Sequence, residues 1–244
     1  MSDRLVPADP AEQLRREELA ANLRDVRARI DAAALAAGRR PEEVVLVAVT
    51  KTWPASDVAL LAGLGITDVA ENRDQEARPK HEACAGLGLR WHFVGQLQRN
   101  KARSVAAYAD VVQSVDRVEL VGALDRAAAD HGRTLDVLAQ VDLADPPQPH
   151  RGGVAPADLD RLADAVAGSG SLRLAGLMAV APLDADPVPA FERLQELSRA
   201  LVAAHPGATM VSAGMSGDLE AAVAAGATHV RVGTAVLGGR PALR

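Results

Sequence analysis

Apolar residues follow two periods along this chain. Over the first forty residues Leu19, Leu23, Val26 and Ile30 recur at helical spacing, with Arg and Glu between them. Asp9 suits the cap of that helix, Pro10 its first turn, Glu12 the capping-box position and Gly38 its stop. A single apolar stripe means that the helix covers something larger. Beyond it come eight short apolar runs: 44–51, 66–72, 90–96, 110–116, 135–142, 172–180, 209–216 and 229–238. Most are too apolar for half-exposed strands and read as strands covered on both faces, as in a parallel sheet. Helical stretches at 56–63, 117–131, 157–167, 190–204 and 217–225 lie between them, with Gly63, Gly65, Gly132 and Gly226 where helices should end.

This pattern predicts an α/β fold: one (β/α)8 TIM-type barrel with an extra N-terminal helix. The whole chain, 1–244, reads as one domain, with 1–40 as the covering helix and 44–238 as the barrel. An open doubly wound sheet would have fewer strands and a Gly-rich turn after the first, whereas the first run ends in Lys-Thr-Trp-Pro. The segment GLGITD (63–68) lacks a third glycine and precedes a strand, so it is no dinucleotide fingerprint. The one long irregular stretch is 144–154.

Composition narrows the function. Aromatic residues are 2% of 244, which makes the core Ala, Val and Leu and leaves almost no platform for base stacking. The net charge of −5 argues against nucleic acid as a partner. The single cysteine, Cys84, excludes an intramolecular disulfide and fits a reducing compartment. The opening MSDRLVPADP has no apolar core of a secretory signal, and no run approaches the ~18 apolar residues of a membrane span, so the expected location is the cytoplasm.

In a barrel the chemistry gathers at the C-terminal ends of the strands. Those ends carry Lys51, Glu71 and Asn72, Gln96 and Gln98, Ser114 and Asp116, Gln140 and Asp142, Met178, the loop Ser212–Gly217, and Arg231, Gly233 and Thr234. Lys51 alone would be a surface lysine; in apolar surroundings its amine suits Schiff-base chemistry with a carbonyl. The loop 212–217 runs into a helix and Gly233-Thr234 follows the next strand, an arrangement that barrels use for phosphate. Arg231 alternates with Val230 and Val232, which turns it into the barrel, where its guanidinium needs an acceptor: a carboxylate such as Glu71, or a ring nitrogen or anion of a ligand. The six histidines have no metal-ligand spacing, and His92 and His229 read as core residues. Cys84 reads as inert, QRNKAR (98–103) as a solvated helix start, and no Ser-His-Asp set or metal site is expected.

These motifs resemble the pyridoxal phosphate homeostasis proteins, the YggS or proline synthetase co-transcribed family, similar in fold to the barrel domain of alanine racemase. The resemblance rests on LVAVTKTWP (46–54), AEN (70–72), WHFVGQLQRNK (91–101), SVD (114–116), GLM (176–178) and SAGMSGDLEAAVAAGATHVRVGTAVLG (212–238). It implies pyridoxal 5′-phosphate as cofactor, held by Lys51 as an internal aldimine. It also implies Ser212, Ser216, Gly233 and Thr234 around the phosphate, Arg231 near the pyridine nitrogen, and Asn72 and Met178 near the ring. The family's GEN, SMGMSDD and QVN read AEN, SAGMSGD and QVD here, and a second lysine of the family's loop has no counterpart at 144–153. The implied function is to hold pyridoxal phosphate and buffer it or deliver it to apo enzymes that need it, with no catalytic residue of its own. The alternative is a racemase-type enzyme. Racemases of this fold draw a tyrosine from a second domain, whereas the only tyrosine here is Tyr108, between the third and fourth runs. A Schiff-base aldolase acting on a phosphorylated sugar is a third reading.

Overall fold

The computed structural model describes residues 9–144, 152–182 and 185–239. Eight parallel strands close into a barrel in sequence order, β1 (Val45–Val49), β2 (Asp68–Glu71), β3 (Arg90–Phe93), β4 (Val111–Val115), β5 (Leu135–Gln140), β6 (Leu172–Met178), β7 (Met210–Ser212) and β8 (His229–Val232), with β8 returning to β1. Every predicted strand is present, and each ends before its predicted run does, because the polar loop residues at the mouth extended the prediction.

The helices are α1 (Pro10–Ala36), α2 (Ala55–Gly63), α3 (Asp74–Ala83), α4 (Ala102–Ala106), α5 (Val118–Asp130), α6 (Leu159–Ala167), α7 (Pro187–Ala204), α8 (Leu219–Ala224) and α9 (Thr234–Leu237). Asp9 caps α1 by accepting from the Ala11 N–H at 3.0 Å. The last predicted strand, 229–238, is corrected: it ends at Val232, and Thr234–Leu237 is a helical turn. Val236 and Leu237 are fully buried in the same cluster as Leu19, Leu23, Val26 and Ile30, so docking against α1 decided the conformation of an apolar segment that would also suit a strand. Burying those four α1 side chains stabilises the helix on the barrel by about 6–12 kcal/mol as an upper estimate.

Outside the strands, two apolar clusters fill the space under the helices. Inside the barrel one sector is apolar, built on Val111, Leu138, Ala175 and Met178. The other is polar: Asp68, His92, Gln113, Ser212, His229 and Arg231 are all buried. A polar barrel interior must satisfy its own hydrogen bonds, and that requirement organises the site.

Candidate functional site

Lys51 and Asn72 leave the barrel side by side. Val49 is paired with Ala70, and the Thr50 N–H donates to the Ala70 carbonyl at 2.9 Å, so each residue stands just beyond a matched strand end. Both side chains are half-buried. The next residue, Thr52, has φ = 70°, a left-handed conformation that costs a β-branched residue about 1–3 kcal/mol. Its N–H donates to Glu76 Oε2 of α3 at 3.0 Å, and Trp53 beside it lies under the Arg15 guanidinium, 4.5 Å from the ring centroid. The Lys51 turn is thus held in place from α3 and from α1. The Asn72 Oδ1 is buried and has no hydrogen-bond partner. A Cβ on Gly95 would lie 2.0 Å from the Asn72 carbonyl oxygen, so only glycine lets the loop after β3 cross at this point.

Beneath this pair lies a buried ion pair. Lys80 Nζ, from α3, stands 2.7 Å from Glu71 Oε1 and donates to the Thr50 carbonyl at 2.8 Å, while the Thr50 hydroxyl donates to the same Oε1 at 2.7 Å. Burial pushes the Glu71 carboxyl above its ordinary pKa against the opposing pull of Lys80. Glu71 Oε2 has no partner. Glu71 is therefore spent on Lys80, which overturns it as the acceptor for Arg231. Lys80 did not stand out in the sequence, although Asp74, Ala77 and Lys80, the buried residues of α3, recur at a spacing of three.

Arg231 points into the barrel as alternation required. Its NH1 donates to Ser212 Oγ at 2.7 Å and its NH2 to the Ala179 carbonyl at 2.9 Å, next to Met178 at the end of β6. No carboxylate lies within ion-pair distance among the described residues. Burial lowers its pKa to about 10, which leaves it cationic at neutral pH. Ser212 is fully buried, and Met178 pairs with it in register.

Ser216, Gly233 and Thr234 form a second group. The Ala235 N–H donates to Ser216 Oγ at 3.3 Å, which joins the loop after β7 to the first turn of α9. Thr234 is exposed there and Gly233 half-buried, packed so that an added Cβ would stand 3.4 Å from the Val49 carbonyl. Helix α1 braces both pieces: Arg15 and Asn22 donate to the carbonyls of Leu237 and Val236, and Arg29 to that of Ser216.

Other strand-end residues turn elsewhere. Gln140 donates to the Gly152 carbonyl at 2.9 Å, and Asp116 pairs with Arg117. Ser114 Oγ is buried without a partner. Cys84 is buried, with its thiol pKa raised by burial. Most of the 144–153 loop, over 145–151, lies outside the described residues, as does the opening segment over 1–8. Among the described residues no helix is long and apolar enough to cross a membrane.

The family model for the alanine racemase N-terminal domain matches residues 15–241. A pyridoxal phosphate homeostasis protein of Mycobacterium bovis is 46% identical, over 93% of this chain and 94% of its own. One of Escherichia coli K12 is 41% identical, over 91% and 97%. Among solved structures, PipY of Synechococcus elongatus PCC7942 with PLP bound superposes with a TM-score of 0.79 at 33% identity, over 90% of this chain and 100% of that one. The chain belongs to the alanine racemase N-terminal domain family and, within it, to the pyridoxal phosphate homeostasis proteins.

Proposed function

We propose that this chain binds pyridoxal 5′-phosphate at the C-terminal mouth of the barrel, covalently on Lys51, and that it buffers the cofactor in the cytoplasm or delivers it to apo enzymes. The whole chain, 1–244, acts as one binding domain. The observation that carries this reading is the Lys51 amine beside a buried guanidinium, Arg231, which has no carboxylate within ion-pair distance among the described residues, the two on adjacent strands and at one end of the barrel. The family's relatives are named for this cofactor, and the structure of the PipY relative contains it.

The donor set fits the group. Arg231 offers a fixed cation toward the pyridine nitrogen, and the unpartnered Oδ1 of Asn72 together with Met178 would border the ring. Ser216, Gly233 and Thr234 would take the phosphate, whereas the Ser212 hydroxyl is committed to Arg231 and Gln113 inside the barrel. When bound, the cofactor supplies an aldehyde that condenses reversibly with a primary amine. The chain's own residues do the rest. The Thr52 turn fixes where Lys51 emerges, Glu71 and Lys80 support that turn from below, and α1 keeps the phosphate turn against the mouth.

A carrier fits better than a racemase. Arg231 stays protonated with a pKa of about 10, so it withholds a proton from the ring nitrogen and leaves the ring a weak electron sink. Tyr108, the only tyrosine, is buried, and its phenol pKa is raised by burial and by the nearby Asp74 and Glu71, so it is no base at neutral pH.

The test is spectroscopic. Pyridoxal phosphate added to the purified protein should give the visible band of a lysine adduct, and borohydride reduction with peptide mapping should label Lys51. A label on Lys80 or Lys101 instead would overturn the assignment. Delivery is read by recovery of activity in an apo pyridoxal phosphate enzyme, with and without a trap for free cofactor. Recovery that the trap abolishes reduces the role to buffering, and steady racemisation that disappears in Lys51→Ala would overturn the carrier.

A further inference from the structure

A row of hydrogen bonds crosses the polar sector of the barrel, from the mouth to the opposite end. Arg231 NH1 donates to Ser212 Oγ at 2.7 Å, and the Ser212 hydroxyl donates to Gln113 Oε1 at 2.7 Å. Gln113 Nε2 stands 2.8 Å from His92 Nδ1, and His92 Nε2 stands 2.8 Å from Asp68 Oδ1. The three middle members are at most 1% exposed, so water does not compete for these bonds.

The two ends fix the direction of every bond. A guanidinium only donates and a carboxylate only accepts. Ser212 must accept from Arg231, so its one proton goes to Gln113 Oε1. That choice turns the Gln113 amide nitrogen toward His92, which must accept at Nδ1 and carry its proton on Nε2, facing Asp68. Burial keeps His92 neutral by lowering its pKa, despite the opposing pull of Asp68. Burial would raise Asp68, but the bonds from His92 and Thr67 hold it below its ordinary pKa and keep it the acceptor.

We propose that Asp68, His92 and Gln113 are positioning residues for the cofactor: acting through Ser212, they lock the Arg231 guanidinium in one orientation, with its remaining N–H groups already aligned to meet the pyridine nitrogen. The inference rests on the functional reading above and deepens it. A carboxylate placed directly on Arg231 would occupy its N–H groups and cancel its charge at the mouth. The row of neutral groups supplies an acceptor without that charge and puts the anion at the far end of the barrel. Pre-alignment of this kind strengthens binding by removing the cost of ordering the donor when the ligand arrives.

The test compares Gln113→Leu with Gln113→Glu. Leucine severs the row, and the protein should lose about tenfold in affinity for pyridoxal phosphate, the order expected for one misaligned bond to a charged group, with a shifted visible band. Glutamate still accepts from Ser212 and draws a proton onto His92, so affinity should stay within about threefold of wild type. A packing role demands the reverse order, because leucine packs well and a buried carboxylate does not; that order overturns the proposal. Nitrogen NMR of the cofactor-free wild type should show His92 protonated on Nε2 and bare on Nδ1, and adding pyridoxal phosphate should move the Nδ1 signal. The opposite tautomer, or an Nδ1 signal that does not respond to the cofactor, overturns it without any variant, even if the leucine chain fails to fold. A wild type that takes up no pyridoxal phosphate overturns the functional reading, and this inference with it.

Discussion

Lys80→Met isolates what the buried pair beneath the mouth contributes. The substitution keeps the volume and removes the charge. Glu71, whose side chain is 1% exposed, then loses its counter-ion at 2.7 Å, and its second oxygen already has no partner, so no other group stands ready to replace Lys80. Removing one member of a buried ion pair costs about 3–5 kcal/mol. For a domain of this size that is a large share of a total near 5–15 kcal/mol and lowers Tm by about 6–20 °C. Burial places the folded pKa of Glu71 above its unfolded value, so the native state favours the protonated form. Stability from that preference is present at acid pH and is lost as pH rises through the folded pKa. The Lys80→Met deficit should therefore be greatest at neutral pH and shrink toward pH 5. Urea unfolding monitored by circular dichroism measures it, and Glu71→Gln/Lys80→Met, with no charge left to strand, should recover at least half the loss. A single variant within about 1 kcal/mol of wild type, or a double variant no more stable than the single, refutes the reasoning.

Three further outcomes follow from the geometry. Thr234→Val should weaken pyridoxal phosphate by about 1.5–3 kcal/mol, ten- to a hundredfold by titration, and leave pyridoxal almost unaffected; equal losses would put Thr234 away from the phosphate. His229, buried and lowered to about 4, binds a proton in the unfolded chain before it does in the native one, so stability should fall by about 3 kcal/mol as pH drops from 6.5 toward 4. His229→Asn should flatten that part of the urea-midpoint profile, and an unchanged slope would assign it to other groups. Arg15→Ala removes the bonds to Asp57 and to the Leu237 carbonyl, and should cost about 1–3 kcal/mol of stability together with about threefold in cofactor affinity. Stability lost with affinity intact would show that α9 holds its position without the brace.

The barrel was legible because its parallel strands are nearly unbroken apolar runs, which few other structures require. Their ends were not: β7 stops at Ser212 although Ala213 is also buried, and the eighth run continues through Val236 and Leu237, whose burial comes from α1 and not from a sheet. The helical stretch ending at Cys84, α3, was read without bounds because its buried stripe, Asp74, Ala77 and Lys80, is mostly polar. Of the site, Lys51 and Arg231 stood out as single cations in apolar runs. Gln113 did not, because all five residues of β4 are buried and alternation selects no face. Its partner Ser212 lies on β7, which is not a neighbour of β4 in the barrel, and no local pattern encodes such a pairing.

The seam between β1 and β8 has a consequence in time. Val47 pairs with Arg231 and Ala48 with Val232, so the amine and the guanidinium that share the mouth come from opposite ends of the barrel's sequence. A ribosome adding about 5–20 residues per second needs roughly 10–40 s to travel from Lys51 to Thr234. Throughout that interval a nascent chain displays Lys51 without Arg231, Thr234 or a closed ring of strands. On the proposed reading, retention of the cofactor begins only when the last strand docks against the first, so newly made copies would withdraw it from solution only once they are folded.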